Sequence, residues 1–484
     1  MLDILRSLTL RFYLALLLAL TAIALLGLIW LDLDALVGWI PLTLLGLLIF
    51  AVFATLLSLF FWLLYEGLGI AFPVRDWRSG RLERRLREIR LSRSNDPAPP
   101  WAAGTPAALA GTMRRFIEQD EGRIPGDDTK LRIGIVLSGG GAKGIYQAGA
   151  MRALWDFLRE EGVLEYVRVV TGTSIGTWNA MFWLTDRVGD DTIKDWWLSS
   201  APGKMVGPTF YMPMLSNYVL HSSPWQAQFV EIFGDRVGPI LEGERPYFYF
   251  TRTNVRRACL EYTTNRSEDY RYVRLTEHGY EPADGVIDES LGQHRVKDVD
   301  DLRLAVFTSM DIPPAFKRLE GPTGDECEDG GVIDNLPIRY ATRYEGCNLL
   351  FVLPLNATFE ARPSRRFIMR RMARVMDVRQ GALERAAMKD ISLYNELIHA
   401  GRNRQLDIHI KPVTTFCICP QPPLDVGTFA FWKTRTAGAD AFELMYEATR
   451  EELQRFDFSP DNTDVWMSRV AADGSISYTD FTVT

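Results

Sequence analysis

Cysteine is scarce in this chain. Five cysteines occur among 484 residues, at Cys259, Cys327, Cys347, Cys417 and Cys419. An odd number of widely spaced cysteines argues against a disulfide framework, and we interpret them as reduced thiols in a reducing compartment. Cys417 and Cys419 lack the second cysteine pair that a structural zinc site would need, so we predict no metal site there.

A basic excess is also missing. The net charge is −7 at pH 7, whereas a protein that binds nucleic acid through phosphates needs positive charge, so we predict no nucleic-acid partner. The charge is unevenly spread. Residues 1–93 carry ten Lys or Arg and seven Asp or Glu, which leaves −10 for the rest of the chain. The N-terminal end therefore has a net charge of +3, and the remainder of the chain is acidic.

Two long apolar segments lie in that N-terminal end. Residues 12–31 contain no charge, and twenty apolar residues suffice to cross about 30 Å of hydrocarbon. A second apolar run spans 41–64, with Pro41 near its start, where a helix tolerates proline. We predict a two-helix transmembrane hairpin within residues 1–72. A cleaved signal peptide is the competing interpretation, but its apolar part would be shorter and no second span would follow.

Arginines on either side of the hairpin predict its orientation. Arg6 and Arg11 precede the first span and eight arginines follow the second, within residues 75–93, while the connecting loop carries only aspartates. By the positive-inside tendency both chain ends lie in the cytoplasm, at an inner or plasma membrane. Residues 75–93 fit a basic amphipathic helix on the membrane surface or a solvated linker helix, and both interpretations stay open.

The central motif lies within residues 165–185. A short β-branched run breaks into Gly172-Thr173-Ser174-Ile175-Gly176 and continues in a helical pattern. A nucleophile at such a strand-to-helix elbow needs small neighbours two residues away on either side, and Gly172 and Gly176 meet that need. Ser174 is thus a candidate nucleophile. A tight turn with a capping serine is the competing interpretation.

A glycine loop precedes this elbow. The apolar run 131–137 ends in Ser138-Gly139-Gly140-Gly141-Ala142-Lys143-Gly144, ahead of a helical pattern. The loop also reads G-x-G-x-x-G, but the next strand lacks the terminal acidic residue of a dinucleotide site, and Lys143 is misplaced for a Walker loop. In a parallel sheet this loop and the elbow would both lie at strand carboxyl ends. Its backbone N–H groups would then hold an oxyanion.

A third motif, Asp329-Gly330-Gly331, lies ahead of a short apolar run and Pro337. This pattern predicts an exposed loop with a carboxylate at its start. On its own, the motif indicates only a turn.

Together the three motifs resemble those of the patatin-like phospholipase family. FTSMDIPPAF, residues 307–316, is similar to the family's segment ahead of the aspartate, and residues 425–445 resemble its closing helix. The resemblance covers roughly 131–455. It implies an α/β fold, a three-layer α/β/α domain with a mainly parallel sheet, that hydrolyses lipid acyl esters without metal or other cofactor.

The resemblance also implies roles for individual residues. Ser174 would be the nucleophile and Asp329 its base, while Gly139, Gly140, Gly141, Ala142, Lys143 and Gly144 would form the oxyanion loop. Gly172, Thr173, Ile175 and Gly176 would shape the elbow, and Gly330 and Gly331 the aspartate loop. The family's loop has a basic fifth residue, which Lys143 matches.

Two points stay open from the residues alone. His399 or His409 would serve as the base if a Ser-His-Asp triad were used instead. The aromatic and methionine-rich stretch 195–230 is either packed core, which we favour, or the lining of an acyl channel.

The predicted organisation has four parts. They are a membrane hairpin at 1–72, a basic and Pro/Ala-rich linker at 73–130, an acyl hydrolase domain at 131–455 and a tail at 456–484. The predicted function is a membrane-anchored phospholipase A or lysophospholipase, whose partners are the bilayer and its phospholipids. The alternatives are a triacylglycerol lipase, a thioesterase, a nucleotide-binding membrane protein and a catalytically silent scaffold.

Overall fold

A computed structural model describes residues 99, 101, 131–200, 205–208, 220–266, 273–276, 279–282, 291–312, 316, 319–322, 324–356, 368–400, 412–459 and 461–481. All of them belong to the second of two units into which the chain divides, residues 75–484. Both predicted membrane spans and the basic segment 75–93 lie outside the described residues. Within the described residues, no helix combines the length and apolarity needed to cross a bilayer.

The described strands are β1 Ile133–Leu137, β2 Val167–Thr173, β3 Gly207–Pro208, β4 Leu220–His221, β5 Tyr247–Asn254, β6 Cys259–Thr264, β7 Val273–Thr276, β8 Gly279–Pro282, β9 Leu291–Arg295, β10 Leu319–Glu320, β11 Glu326–Asp329, β12 Leu349–Leu353, β13 Thr414–Pro420, β14 Trp466–Val470 and β15 Ile476–Asp480. The α-helices are α1 Gly144–Glu160, α2 Ile175–Leu184, α3 Thr192–Ser199, α4 Ser223–Phe233, α5 Gly238–Leu241, α6 Val299–Ser309, α7 Ile368–His399 and α8 Thr434–Arg455.

The sequence also predicts strands at 167–170, 247–250, 349–353 and 408–411 and a long helix at 365–398. The strand predicted at 349–353 has those bounds, and the long helix predicted at 365–398 is α7. The strands predicted at 167–170 and 247–250 are longer, because polar threonines continue both of them to their carboxyl ends. The strand predicted at 408–411 lies outside the described residues, and β13 begins after it.

The main sheet contains eleven described strands in the order β10-β11-β5-β2-β1-β12-β13-β14-β15, with β6 and β9 joined beside β5. Its six central strands, in the order β5-β2-β1-β12-β13-β14, all run parallel to one another. Antiparallel pairs are confined to the edges, at β15 and around β5. The prediction of a mainly parallel sheet is therefore confirmed.

Helices cover both faces of this sheet, which makes three layers. In β1, Ile133, Ile135 and Leu137 face a cluster that includes buried residues of α1, α2 and α8. Val136 faces the opposite cluster, where Met388 and Ile391 of α7 are buried. This alternation follows from the two-residue period of a strand, and apolar residues on both faces are typical of a sheet covered on both sides.

The aromatic residues that the structure describes within 195–230 are buried. Trp196 and Trp225 stack with ring centroids 5.8 Å apart, and both are buried together with Trp197. The packed-core interpretation therefore fits these three residues. The stretch also contains Phe210, Tyr211, Met212, Met214 and Tyr218, which lie outside the described residues.

The sheet continues past residue 455, where we placed the end of the hydrolase domain. β14 pairs in parallel with β13, and β15 pairs with β14 in antiparallel fashion. These two strands could not be predicted from the sequence, because a five-residue segment with mixed polarity shows little periodicity. Two strands of the predicted tail thus belong to the sheet of the hydrolase domain.

Candidate active site

Ser174 lies at a sharp elbow between β2 and α2. Its backbone angles are φ 53° and ψ −129°, in a region that favours glycine, and α2 begins at the next residue. A Cβ on Gly176 would lie 2.5 Å from the Leu137 carbonyl oxygen, and a Cβ on Gly172 would lie 2.9 Å from the Gly176 carbonyl carbon. Both glycines are therefore required by close backbone approach, as the elbow motif predicts.

The strained elbow is held by neighbouring hydroxyl groups. The Ser174 backbone N–H donates to Ser309 Oγ at 2.8 Å, from the last residue of α6. The hydroxyl groups of Thr173 and Thr251 lie 2.6 Å apart and join β2 to β5. Ser309 belongs to the 307–316 segment, but its role could not be read from the sequence because a serine is common at a helix end.

Asp329 ends β11 and is buried, with 1% of its surface exposed. Its backbone N–H donates to the Asp311 carbonyl at 2.9 Å, and its Oδ1 accepts from the Gly331 N–H at 2.7 Å. Its other oxygen, Oδ2, has no partner in hydrogen-bonding geometry within the described part of the chain. Asp329 thus has one oxygen fixed and one available.

Burial raises the pKa of Asp329 to about 7, against opposing effects of the Ser174 side chain and the Gly331 N–H, which lower it. The two motifs therefore place Ser174 and Asp329 close enough to interact. A carboxylate whose pKa is near neutrality is a much better base for a hydroxyl group than one with an ordinary pKa of about 4.

The glycine loop packs against the loops that carry Ser174 and Asp329. A Cβ on Gly139 would lie 2.8 Å from Ser174 Cβ and 2.6 Å from Asn335 Oδ1. Gly141 has φ +59°, and a Cβ there would lie 2.2 Å from the Thr428 carbonyl oxygen. The protein's own atoms thus fill the space that these glycines leave. This packing does not favour the dinucleotide interpretation, in which glycines make room for a pyrophosphate.

Most amides of the predicted oxyanion loop are engaged within the protein. Four of its N–H groups donate to backbone carbonyls: Gly139 to Asn335 at 3.3 Å, Ala142 to Thr428 at 2.8 Å, Lys143 to Gly140 at 3.3 Å, and Gly144 to Ala142 and Gly141. Of the six residues, only Gly140 and Gly141 have N–H groups that donate to no acceptor in the described part of the structure. These two amides are the ones available to an oxyanion.

The Lys143 side chain anchors the loop. It is buried, and its Nζ lies 3.0 Å from Asp377 Oδ1 and also donates to Asn356 Oδ1. Thr428 donates to the same Asp377 oxygen at 2.6 Å. A buried ammonium group needs such partners, and these tie the glycine loop to α7.

A buried polar network lies beneath the loop and was not found from the sequence. Glu384 of α7 accepts hydrogen bonds from Asn335 Nδ2 at 2.6 Å, Asn356 Nδ2 at 3.0 Å and Asn356 N–H at 2.8 Å. Burial raises the pKa of Glu384 to about 7, although its hydrogen bonds with Asn356 act to lower it. Gln380, one turn earlier in α7, is also buried, and its Nε2 would lie 3.1 Å from a Cβ on Gly331.

His399, one of the two alternative bases, is hydrogen-bonded to a residue outside the site. His399 Nε2 lies 2.8 Å from Thr463 Oγ1, at the end of α7. It follows Glu384 by fifteen residues, or about 22 Å along an α-helix. His409 lies outside the described residues. Among the predicted bases that the structure describes, Asp329 is the one beside Ser174.

The cysteines take no part in this site. All five are free, and four are buried. Within the described ranges, no cluster of three or more His, Cys, Asp or Glu side chains is arranged to hold a metal ion.

Comparisons with known proteins agree with the motifs. Residues 135–342 match the family model described as patatin-like phospholipase, a range that contains most of the glycine loop's strand, the elbow and the aspartate loop. The comparison supports a patatin-like phospholipase domain at those residues. Among solved structures, the chain is similar to VipD from Legionella pneumophila, with 16% identity over 66% of each chain and a TM-score of 0.32. That overlap is just under two thirds of VipD. No curated protein matches the chain.

Proposed function

We propose that this chain is a membrane-anchored serine lipid acyl hydrolase of the phospholipase A or lysophospholipase type. A patatin-like phospholipase domain implies lipid acyl hydrolase activity. One observation carries the proposal for this chain. Ser174 lies at a strained elbow beside the buried Asp329, whose Oδ2 has no hydrogen-bond partner in the described part of the chain. This arrangement suits transfer of the serine proton to the carboxylate.

In the acylation step, Ser174 Oγ attacks the carbonyl carbon of an acyl ester while Asp329 takes the hydroxyl proton. The carbonyl oxygen becomes an oxyanion. The bond from the acyl carbon to the leaving alcohol oxygen then breaks, and Asp329 returns the proton to that oxygen. An acyl ester on Ser174 and a free lysolipid or glycerol derivative result.

In the deacylation step, a water molecule attacks the acyl-enzyme carbon as Asp329 removes one of its protons. The bond to Ser174 Oγ breaks, and the same proton returns to the serine. A free fatty acid leaves, and both side chains regain their starting protonation states. Asp329 thus acts as base and acid in turn.

The oxyanion would be stabilised by the available N–H groups of Gly140 and Gly141. One such donor typically contributes about 3 kcal/mol of transition-state stabilisation. The partial positive charge at the start of α2, directly after Ser174, acts in the same direction.

Membrane location follows from the N-terminal sequence. The hairpin predicted within residues 1–72 would hold the hydrolase domain at the cytoplasmic face, where phospholipid and lysophospholipid are present at high effective concentration. Trypsin added to sealed vesicles tests this orientation. The arginine-rich segment 75–93 should be cleaved only when the cytoplasmic face is outward.

A fluorophosphonate probe tests the proposed nucleophile in the full chain. Wild type and a Ser222→Ala control, altered at a serine outside the site, should be labelled, and Ser174→Ala should not. Mass spectrometry should find the adduct on Ser174. Equal labelling of Ser174→Ala would contradict the proposal, and an unlabelled wild type would favour a silent scaffold.

A further inference from the structure

The carbonyl oxygen of Gly139 is held by two side chains. Asn356 Nδ2 donates to it at 2.8 Å, and Asn335 Nδ2 donates at 3.2 Å. In a planar trans peptide, the carbonyl and the N–H of the next residue point in opposite directions. Fixing the Gly139 carbonyl therefore fixes the direction of the Gly140 N–H, one of the two available amides.

Glu384 determines which way both asparagine amides face. It accepts from Asn335 Nδ2 at 2.6 Å and from Asn356 Nδ2 at 3.0 Å, so each nitrogen is shared between Glu384 and Gly139. A third hydrogen bond, from the Asn356 N–H at 2.8 Å, holds the carboxylate itself. On the other side, Asn356 Oδ1 accepts from Lys143, which completes the network.

Such a network is costly if it serves packing alone. Glu384 is fully buried, at 0% exposure, and a buried carboxylate normally destabilises a core relative to an apolar side chain of similar size. Its hydrogen bonds converge on two asparagines, and both of these contact the same carbonyl of the glycine loop. The arrangement therefore has a directional effect on the loop.

We propose that Glu384 is a positioning residue that, through Asn335 and Asn356, holds the Gly139 carbonyl and so aims the Gly140 N–H at the oxyanion formed on Ser174. This proposal rests on the proposed function of Ser174. Glu384 does not touch the substrate. It acts on the transition state by keeping one donor in place before the reaction begins.

Glu384→Gln is the sharpest variant because it keeps the shape of the side chain. Both asparagine Nδ2 groups donate to Oε1 of Glu384, and the Asn356 N–H donates to Oε2. A glutamine has one acceptor oxygen, so its NH₂ group must face either the Asn356 N–H or the two Nδ2 groups. In both orientations Asn356 loses a hydrogen bond to residue 384, and its hold on the Gly139 carbonyl weakens. Asn356→Ala provides a second variant, which removes one donor to Gly139 directly and leaves Glu384 in place.

The experiment uses the full chain and compares two lipid analogues. An acyl trifluoromethyl ketone forms an oxyanion on the serine, whereas an ether-linked lysophospholipid binds without forming one. In Glu384→Gln and Asn356→Ala we expect kcat and affinity for the ketone each to fall by about tenfold to a hundredfold. KM and affinity for the ether lipid should change by less than about threefold, because ground-state binding does not use the oxyanion donors.

Asn395→Ala provides the matched control. Asn395 is also buried on α7, and its Nδ2 donates to the Val413 carbonyl at 3.0 Å and the Thr463 carbonyl at 2.7 Å, away from the glycine loop. It should lower the melting temperature and leave the ratio of ketone to ether affinity as in wild type.

An unchanged ratio of ketone to ether affinity in both Glu384→Gln and Asn356→Ala would overturn the positioning role, whatever happens to stability. Failure of the ketone to bind wild type would instead overturn the proposed function of Ser174, and this assignment with it. The two failures are thus distinguishable.

Discussion

Asn335 joins the aspartate loop to the glycine loop, because its Nδ2 donates to the Gly139 carbonyl at 3.2 Å and its own carbonyl accepts from the Gly139 N–H at 3.3 Å. Its Oδ1 would also lie 2.5 Å from a Cβ on Gly331. The loop that carries the proposed base and the loop that carries the proposed oxyanion donors are therefore fixed to each other. Ser174 lies against Gly139 and shares that fixed geometry.

Activity should rise with pH up to neutrality. Asp329 must be ionised to accept the serine proton, and burial raises its pKa to about 7. Glu384 must also be ionised to accept three hydrogen bonds, and its pKa is also raised to about 7. The profile of kcat/KM should therefore climb with a slope between one and two below pH 7 and level off above it. A profile that is flat from pH 5 to pH 9 would contradict this assignment.

Asp329→Asn should stabilise the protein in alkaline buffer. Because the folded-state pKa of Asp329 is raised from 3.8 to about 7, folding favours the neutral acid, and stability is lost as pH rises between those values. The penalty above pH 7 has an upper bound of about 4 kcal/mol, from roughly 1.4 kcal/mol per pKa unit. The melting temperature of Asp329→Asn should exceed that of wild type at pH 8.5, and the difference should shrink toward pH 5.

Asp156→Asn is the control for that measurement. Asp156 is buried too, but Arg152 and Arg159 lie 3.0 Å and 2.9 Å from its oxygens. Removing its charge takes away the carboxylate that the two arginines share and should lower the melting temperature at pH 8.5. If Asp329→Asn lowers the melting temperature by as much, burial of the Asp329 carboxylate does not destabilise the protein.

Ser174→Gly should be more stable than Ser174→Ala, although both variants should be inactive. With φ at 53° and ψ at −129°, position 174 is strained for any residue that carries a Cβ. Such strain costs about 1–3 kcal/mol, and the greater entropy of unfolded glycine offsets part of the gain. Calorimetry should show a free energy of unfolding about 1 kcal/mol higher for Ser174→Gly than for Ser174→Ala. A glycine variant that melts below the alanine variant would argue against stored strain at the elbow.

Gly141→Ala should disrupt the oxyanion loop. Position 141 has φ +59°, and its Cβ would lie 2.2 Å from the Thr428 carbonyl oxygen, so the backbone must move. We expect at least about a hundredfold loss of kcat/KM, as for loss of an oxyanion donor. Gly162→Ala is a matched control, with φ +69° and no atom within 4 Å of the added Cβ. It should retain activity within twofold and cost only about 1 kcal/mol of stability.

The elbow and the glycine loop could be predicted because their function requires glycine at fixed positions. Gly172 and Gly176 are spaced by the turn geometry around Ser174, and that spacing is visible in the sequence. Asp329 could be identified only through the resemblance, because a single Asp-Gly-Gly indicates no more than a turn.

Glu384 could not be predicted in the same way. It lies in a 32-residue helix rich in charged residues, where a glutamate ordinarily faces solvent. Its burial arises only when α7 packs over the sheet and meets Asn335 and Asn356 from distant loops. The sequence carries no local sign of that three-dimensional arrangement.

The central claim is most directly tested by release of free fatty acid from vesicles of mixed phospholipid and lysophospholipid in calcium-free buffer. The full-length wild type, Ser174→Ala and Asp329→Asn would be compared at pH 8. The account predicts that wild type releases fatty acid and that both variants lose this activity by several orders of magnitude. Release at the wild-type rate by either variant would contradict the proposed Ser174–Asp329 chemistry.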